Sequence, residues 1–210
     1  MLTGEPFIPE TITVHLGPPD SDAPNVTVDF PTYIKNVASS EIYPTWPESA
    51  LRANIYAIIS FVLNRVYTEW YRSRGYDFDI TSSTQFDQKF INDREIFDNI
   101  SEITDEIFNS YVVRQGNIEP LFTAFCNGTT VTCEGLSQWG TVPLAQQGLT
   151  PYEILESFYG DDINIVMNAP VRTRTKSFPG TVLRQGEASN DVKLIQTQLN
   201  RISRNYRSEE

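Results

Sequence analysis

Near the N-terminus, TITVHL and NVTVDF alternate apolar and polar residues, the period of a strand with one buried face, and the turn-forming PPDSDAP separates them. The pattern then changes to a helical one. In 31-PTYIKNVASSEI-42, Tyr33, Ile34 and Val37 share a face and Pro31 stands near the start, which predicts a short helix. A second helix is expected from Pro47-Glu48 through ESALRANIYAIISFVLNRVYTEWYRSR to Gly75. Its interior, IYAIISFVL, is apolar on every side, as a helix buried at the centre of a domain requires.

Further along, YDFDITSSTQFDQKF reads as a strand and a polar loop. Residues 92–115 carry Ile96, Ile100, Ile103 and Ile107 at three-to-four spacing, an amphipathic helix whose acidic run DREIFDNISEITDE is its exposed face. EPLFTAFCN reads as a strand, EGLSQWGTVPLAQQG as a Gly-bounded turn and short helix, and DINIV as a final strand. Between the last two, TPYEILESFYG predicts a helix with Thr150 as N-cap, Pro151 at its first position and Gly160 past its end. These elements predict an α/β (α+β type) domain over residues 1–167. A basic, proline-containing linker over 168–180 follows, then a C-terminal piece at 181–210 with one helix capped by Ser189 or Asn190 and Val192, Ile195 and Leu199 facing inward. About 30 residues cannot build a core of their own.

Composition narrows the function classes. The net charge of −11 argues against binding nucleic acid, whose phosphates call for clustered Lys and Arg, and against anionic lipid. No apolar run approaches the ~20 residues of a membrane span, and MLTGEPFIPETITV lacks the basic and apolar regions of a signal peptide, which leaves the export route open. Cys126 and Cys133 flank a Gly-Thr-Thr turn and read equally as a disulfide or as two reduced thiols. Two cysteines and a distant His15 make a poor zinc set, so neither a metal nor a cofactor is expected, and His15 reads as a plain strand histidine.

Three stretches together resemble the stage II sporulation protein D family, which includes the amidase enhancer proteins. EIYPTWPESALRANIYA is similar to the family's Glu-Met-Pro, Trp, Glu-Ala-Leu-Lys-Ala-Gln helix, DITSSTQF to its Asp-to-Gln loop, and GLSQWGTVPLAQQGLTPYEILESFYG to its Gly-Met-Ser-Gln-Tyr-Gly-Ala segment and following helix. The likeness spans about residues 25–166. LRQGEASNDVKLIQTQLNRI resembles the opening of the three-helix peptidoglycan-binding domain, whose later helices this chain lacks. The resemblance implies a protein acting on peptidoglycan glycan strands in the cell wall or spore envelope, with protein partners in wall remodelling.

It also assigns roles. Glu41 takes the place of the catalytic glutamate: one carboxylic acid can protonate the glycosidic oxygen and then, as a carboxylate, accept a proton from the sugar's 6-hydroxyl. The apolar neighbours Ile42, Tyr43, Trp46 and Leu51 would desolvate it, favouring the protonated acid. Trp46 and Trp139 are candidate sugar platforms, and Asp79, Gln85, Ser137 and Gln138 candidate groove residues. Each has a plainer reading. Glu41 can be a helix-terminal surface carboxylate, Asp79 and Gln85 can bond local backbone, and Ser137-Gln138 can be a turn closing against the Glu41 loop. The chain departs from the family at Ile59, where an arginine is common; at Ser83-Thr84, where some members have a His-Cys pair; and before GLSQWG, where a Gly-His-Gly turn is missing. Those departures keep open a non-catalytic peptidoglycan-binding or assembly protein of sporulation or of a phage-like particle.

Overall fold

The computed structural model describes residues 6–173 and 182–205. Strand β1 (Ile8–Pro9) leads into β2 (Thr11–His15), which pairs antiparallel with β3 (Asn25–Asp29) in the register Thr11 opposite Asp29. Helix α1 (Phe30–Glu41) follows without a loop: the Asp29 side chain accepts from Thr32 N–H and Pro31 fills the first turn, where no backbone donor is needed. It ends where Ile42 turns to extended backbone ahead of Pro44, which cannot continue a helix.

Helix α2 (Glu48–Tyr67) is the buried centre the apolar run predicts, with residues 53 to 65 removed from solvent. It stops earlier than Gly75, however. Glu69 takes a left-handed conformation, and Trp70 folds back so that its N–H bonds Arg65 O and its ring lies between the Arg65 and Arg74 guanidiniums at 4.5 and 3.7 Å. A 3-10 turn, Arg72–Arg74, completes the segment. Strand β4 (Ile80–Thr81) then adds parallel to β2, making the sheet order β3-β2-β4.

The helix expected over 92–115 is shorter too. Helix α3 occupies Asp98–Ile107, with its isoleucines inward, and Tyr111–Arg114 leaves as β5. Ahead of α3 the chain is an irregular strap with a turn at Asn92-Asp93, and backbone groups of Ile91 and Phe97 are bonded by side chains of α1 rather than within a helix of their own. Strands β6 (Phe125–Cys126) and β7 (Leu136–Ser137) pair in parallel, followed by α4 (Thr141–Gln146). Helix α5 (Pro151–Tyr159) begins with a full capping box between Thr150 and Glu153, and β8 (Ile163–Val166) closes antiparallel on β5.

Together these elements form a mixed α/β domain around α2. Its boundary lies beyond residue 167: Ala169 is buried, and β9 (Val171–Arg172) pairs in parallel with β1, so the first part of the expected linker belongs to the body. Residues 174–180 lie outside the described residues. Helix α6 (Asn190–Asn205) is capped by Ser189, whose side chain accepts from Val192 N–H. Leu199, expected inward, is exposed, and Val192 and Ile195 are only half-buried. No helix among the described residues is long and apolar enough to cross a membrane.

Candidate functional site

The polar end of α1 shows why Glu41 stands where it does. Asn36, Ser39 and Ser40 are anchors for the strap that precedes α3. Asn36 makes a two-way bond with Ile91, Ser39 Oγ accepts from Phe97 N–H, and Ser40 Oγ accepts from Arg94 Nη1 at 2.9 Å. Asn99 reaches Pro44 O at the start of the next loop. Glu41 completes the row: its Oε1 accepts the Lys89 backbone N–H at 2.8 Å.

The second oxygen of Glu41 points to the other family-like stretch. Oε2 accepts from Gln138 Nε2 at 3.2 Å, across 97 residues of sequence. Gln138 is buried and held from behind. Its backbone N–H donates to Cys126 O, and its carbonyl accepts from the Thr141 hydroxyl at 2.6 Å. Thr141 Oγ in turn accepts from Asn54 Nδ2 of α2 at 2.9 Å. A chain of bonds thus ties the candidate acid to the central helix. The cysteines that bracket the preceding loop are joined, Cys126 to Cys133 with 6.1 Å between their Cα atoms; this settles the two readings in favour of the disulfide. Within that loop Asn127 Oδ1 accepts from three successive backbone N–H groups, Thr129 to Val131.

Three aromatic rings meet beside this pair. Trp46 and Trp139 contact edge-to-face at 4.9 Å, and Tyr43 lies 5.7 and 5.4 Å from them. Their exposure separates their roles. Trp46 is only 8% exposed and forms the base of the cluster, whereas Trp139 at 42% and Tyr43 at 55% offer open ring surface. Trp46 is therefore a supporting wall, and Tyr43, which stands in the same motif, adds an open ring face that the sequence reading did not single out. Glu41 sits beside an open aromatic surface. A cavity of about 310 Å3, lined by Arg114, Phe122, Glu134, Phe158 and Tyr159 among others, does not include it.

The remaining candidates fall elsewhere. Asp79 is buried in an ion pair with Arg72 and accepts Thr13 N–H, which is a structural role between β2 and β4. Gln85 is exposed in a turn. The glutamine that enters the interior is Gln88, which accepts from the Tyr33 hydroxyl and donates to Ile58 O. Burial foremost, then the charges of Asp87 and Glu41, pushes the Tyr33 hydroxyl well above the usual tyrosine range, so it remains a donor. Ser137 Oγ accepts from Gly140 N–H and closes a turn. Ile59 is fully buried.

His15 lies in β2, as expected, and its ring ties down a turn. Its Nδ1 faces Asn25 Oδ1 at 2.8 Å and its Nε2 faces Ser21 Oγ at 3.2 Å. Asn25 Nδ2 donates to Asp77, which fixes the amide's orientation and requires His15 Nδ1 to carry a proton. The Ser21 hydroxyl is directed at Pro18 O at 2.7 Å, so this trio ties a turn together and offers no free nucleophile.

Fold and site together define a mixed α/β domain that presents one carboxylate next to an open aromatic surface. No protein-family model matches the chain, and no curated protein and no solved structure matches it at a significant level.

Proposed function

We propose that this protein cleaves peptidoglycan glycan strands by lytic transglycosylase chemistry, with Glu41 as acid and then base. The observation that carries the reading is the Glu41 Oε2 bond from Gln138 Nε2, which unites the two family-like motifs at one carboxylate. The open faces of Tyr43 and Trp139 beside it suit the apolar faces of pyranose rings.

In this reading the protonated Glu41 gives its proton to the glycosidic oxygen as the bond to the anomeric carbon breaks. The departing chain leaves with a new hydroxyl. The 6-hydroxyl of the same sugar then attacks the anomeric carbon and passes its proton to the Glu41 carboxylate, closing a 1,6-anhydro ring and restoring the acid. No water is consumed, and no second carboxylate is required at the ~5–9 Å spacing of glycosidases. The groups that bond Glu41 are an amide and a backbone N–H, and a carboxylate has about four acceptor positions, so acceptor capacity remains for substrate. Trp139 and Tyr43 hold the sugar; Gln138 and the Lys89 backbone fix the direction of the carboxyl group. The cell wall or spore envelope is the setting this activity calls for, with wall-remodelling proteins as partners.

A second reading, a non-catalytic peptidoglycan-binding or assembly protein, is favoured by one observation: Ile59 is sealed in the core, so α2 brings no cation to Glu41. Digestion of purified peptidoglycan by wild type and Glu41→Gln, with products read by mass, separates the two. Anhydro-ended fragments from wild type, reduced at least about 100-fold in Glu41→Gln, are expected. No fragments from either protein, with wall pull-down intact in both, would leave the binding reading.

A further inference from the structure

The chain has 27 acidic residues against 16 basic ones, and five cations of the body are found against carboxylates. Within the body, Lys35 meets Asp105, Arg52 meets Glu48 and Glu106, Arg65 meets Asp87, Arg72 meets Asp79 and Arg114 meets Asp162. Arg74 is taken up by Trp70, on whose ring it stacks and whose carbonyl it bonds, and Arg172 borders the undescribed segment. Lys89 and Arg94 differ from those five. Among the described residues neither makes an ion pair, and both belong to the strap that holds Glu41.

Their attachment places them beside the candidate acid. The Lys89 backbone bonds Glu41 Oε1, and its side chain is exposed. Arg94 is half-buried and oriented by three contacts: Nη1 donates to Ser40 Oγ, the neighbour of Glu41, Nε donates to Glu95 O, and the guanidinium lies 5.6 Å from the Phe97 ring centre. Those bonds use part of a guanidinium's five N–H donors and leave the rest of the fork for a carboxylate. An acidic polymer approaching a chain of net charge −11 is repelled at long range, so a local pair of cations at the site has a purpose that a neutral substrate would not need.

We propose that Lys89 and Arg94 form a carboxylate subsite next to Glu41, selecting an acidic saccharide over a neutral one. This rests on the glycan-strand reading of the site. In wall glycan the carboxylate has two sources, the lactyl ether of every second sugar when stem peptides are absent, and the stem peptides themselves when present.

The test uses the full chain carrying Glu41→Gln, so that ligands survive, and measures binding by calorimetry. Three ligands are compared: neutral chitotetraose, peptide-free wall tetrasaccharide, and the same tetrasaccharide with stem peptides. The expected result is that at least one acidic ligand binds about ten-fold more tightly than chitotetraose. Lys89→Gln and Arg94→Gln should each remove about three-fold of that gain without weakening chitotetraose. About 1 M salt, with a screening length of about 3 Å, should erase it. Which acidic ligand shows the gain identifies the source of the carboxylate. Arg94 also anchors the strap through Ser40, so if its variant is poorly folded Lys89→Gln decides, since its backbone bond to Glu41 survives substitution. Equal binding of neutral and acidic ligands, or a gain that persists in Lys89→Gln, overturns the subsite and leaves the glycan reading standing. Failure of all three ligands to bind, chitotetraose included, removes the glycan reading and the subsite with it.

Discussion

Glu41 and Asp87 are both carboxylates packed against the helices of the core, and the structure treats them in opposite ways. The side chain of Asp87 is fully buried. Its Oδ1 accepts from Arg65 Nε, and its Oδ2 accepts from the Tyr71 hydroxyl at 2.5 Å and from both the backbone N–H and the hydroxyl of Thr81. Burial foremost, then bonding to Asp87, pushes the Tyr71 hydroxyl above the usual tyrosine range, which keeps it protonated and donating. Glu41 takes one neutral donor on each oxygen, has no cation against it among the described residues, and remains partly open beside Tyr43 and Trp139. A carboxylate saturated by a cation and three donors is part of the framework. One held in direction but left with spare acceptor positions is available to a ligand.

The contrast is sharpest in stability. Asp87→Ala leaves Arg65 without its counter-charge in the interior and is expected to cost about 3–5 kcal/mol, measured by urea denaturation. Glu41→Gln should change stability by less than about 1 kcal/mol in the same assay while abolishing anhydro products. A large loss of stability in Glu41→Gln would place Glu41 in the framework with Asp87 and end its catalytic candidacy.

Next in size is Gln138→Ala. It removes the donor to Oε2 without touching the Lys89 bond, so the carboxyl group loses its second constraint. Release of anhydro fragments is expected to fall about 10- to 100-fold at saturating glycan, through kcat more than KM, since misplacing a reacting group costs on that order. An unchanged kcat would show that Gln138 only closes the turn.

The disulfide comes third. It bridges the loop whose Cys126 carbonyl accepts from Gln138 N–H. Replacing Cys126 and Cys133 by Ser is expected to cost about 2–3 kcal/mol by the entropy of so short a loop. Hydrogen exchange should rise at the Gln138 amide but not at Thr81, whose N–H bonds Asp87. Equal exchange at both would mean that the two carboxylates share one cooperative unit.

The smallest effect concerns α5. Thr150→Ala breaks the capping box and should cost about 1 kcal/mol. Bonds from the Thr150 backbone foremost, then from its hydroxyl, hold the Glu153 carboxyl below the usual range. A depressed acid contributes stability above its unfolded value and loses it as pH falls through the lower folded value. The wild-type advantage over Thr150→Ala should therefore be complete at neutral pH and shrink below about pH 4. A pH-independent difference would show that the hydroxyl cap alone matters.

Local signals were sufficient where one residue type has one physical solution. The apolar run of α2 had to be buried, Asp29, Pro31 and Thr150-Pro151 set helix starts, and alternation in TITVHL and NVTVDF became a hairpin. They failed where distant groups competed for the backbone. The helical spacing of Ile96 and Ile100 suggests a helix from residue 92, but Asn36 and Ser39 bond the backbone of Ile91 and Phe97 and keep that stretch out of the helix. At the site, Gln85 was the natural choice within DITSSTQF, yet Gln88 is the glutamine that finds the buried Tyr33 hydroxyl. Asp79 was drawn into an ion pair with Arg72, which spacing along the chain does not reveal.

The sequence by itself determined the mixed α/β class, the central helix and the position of Glu41 at the end of α1, because periodicity and capping act over one or two turns. Only the tertiary structure decided that Gln138 meets Glu41, that Trp46 supports while Tyr43 and Trp139 are open, that the cysteines are joined, and that Lys89 and Arg94 stand next to the acid without an ion pair among the described residues. Those outcomes depend on which side chains reach one another across tens of residues, and packing around α2, not local preference, sets that geometry.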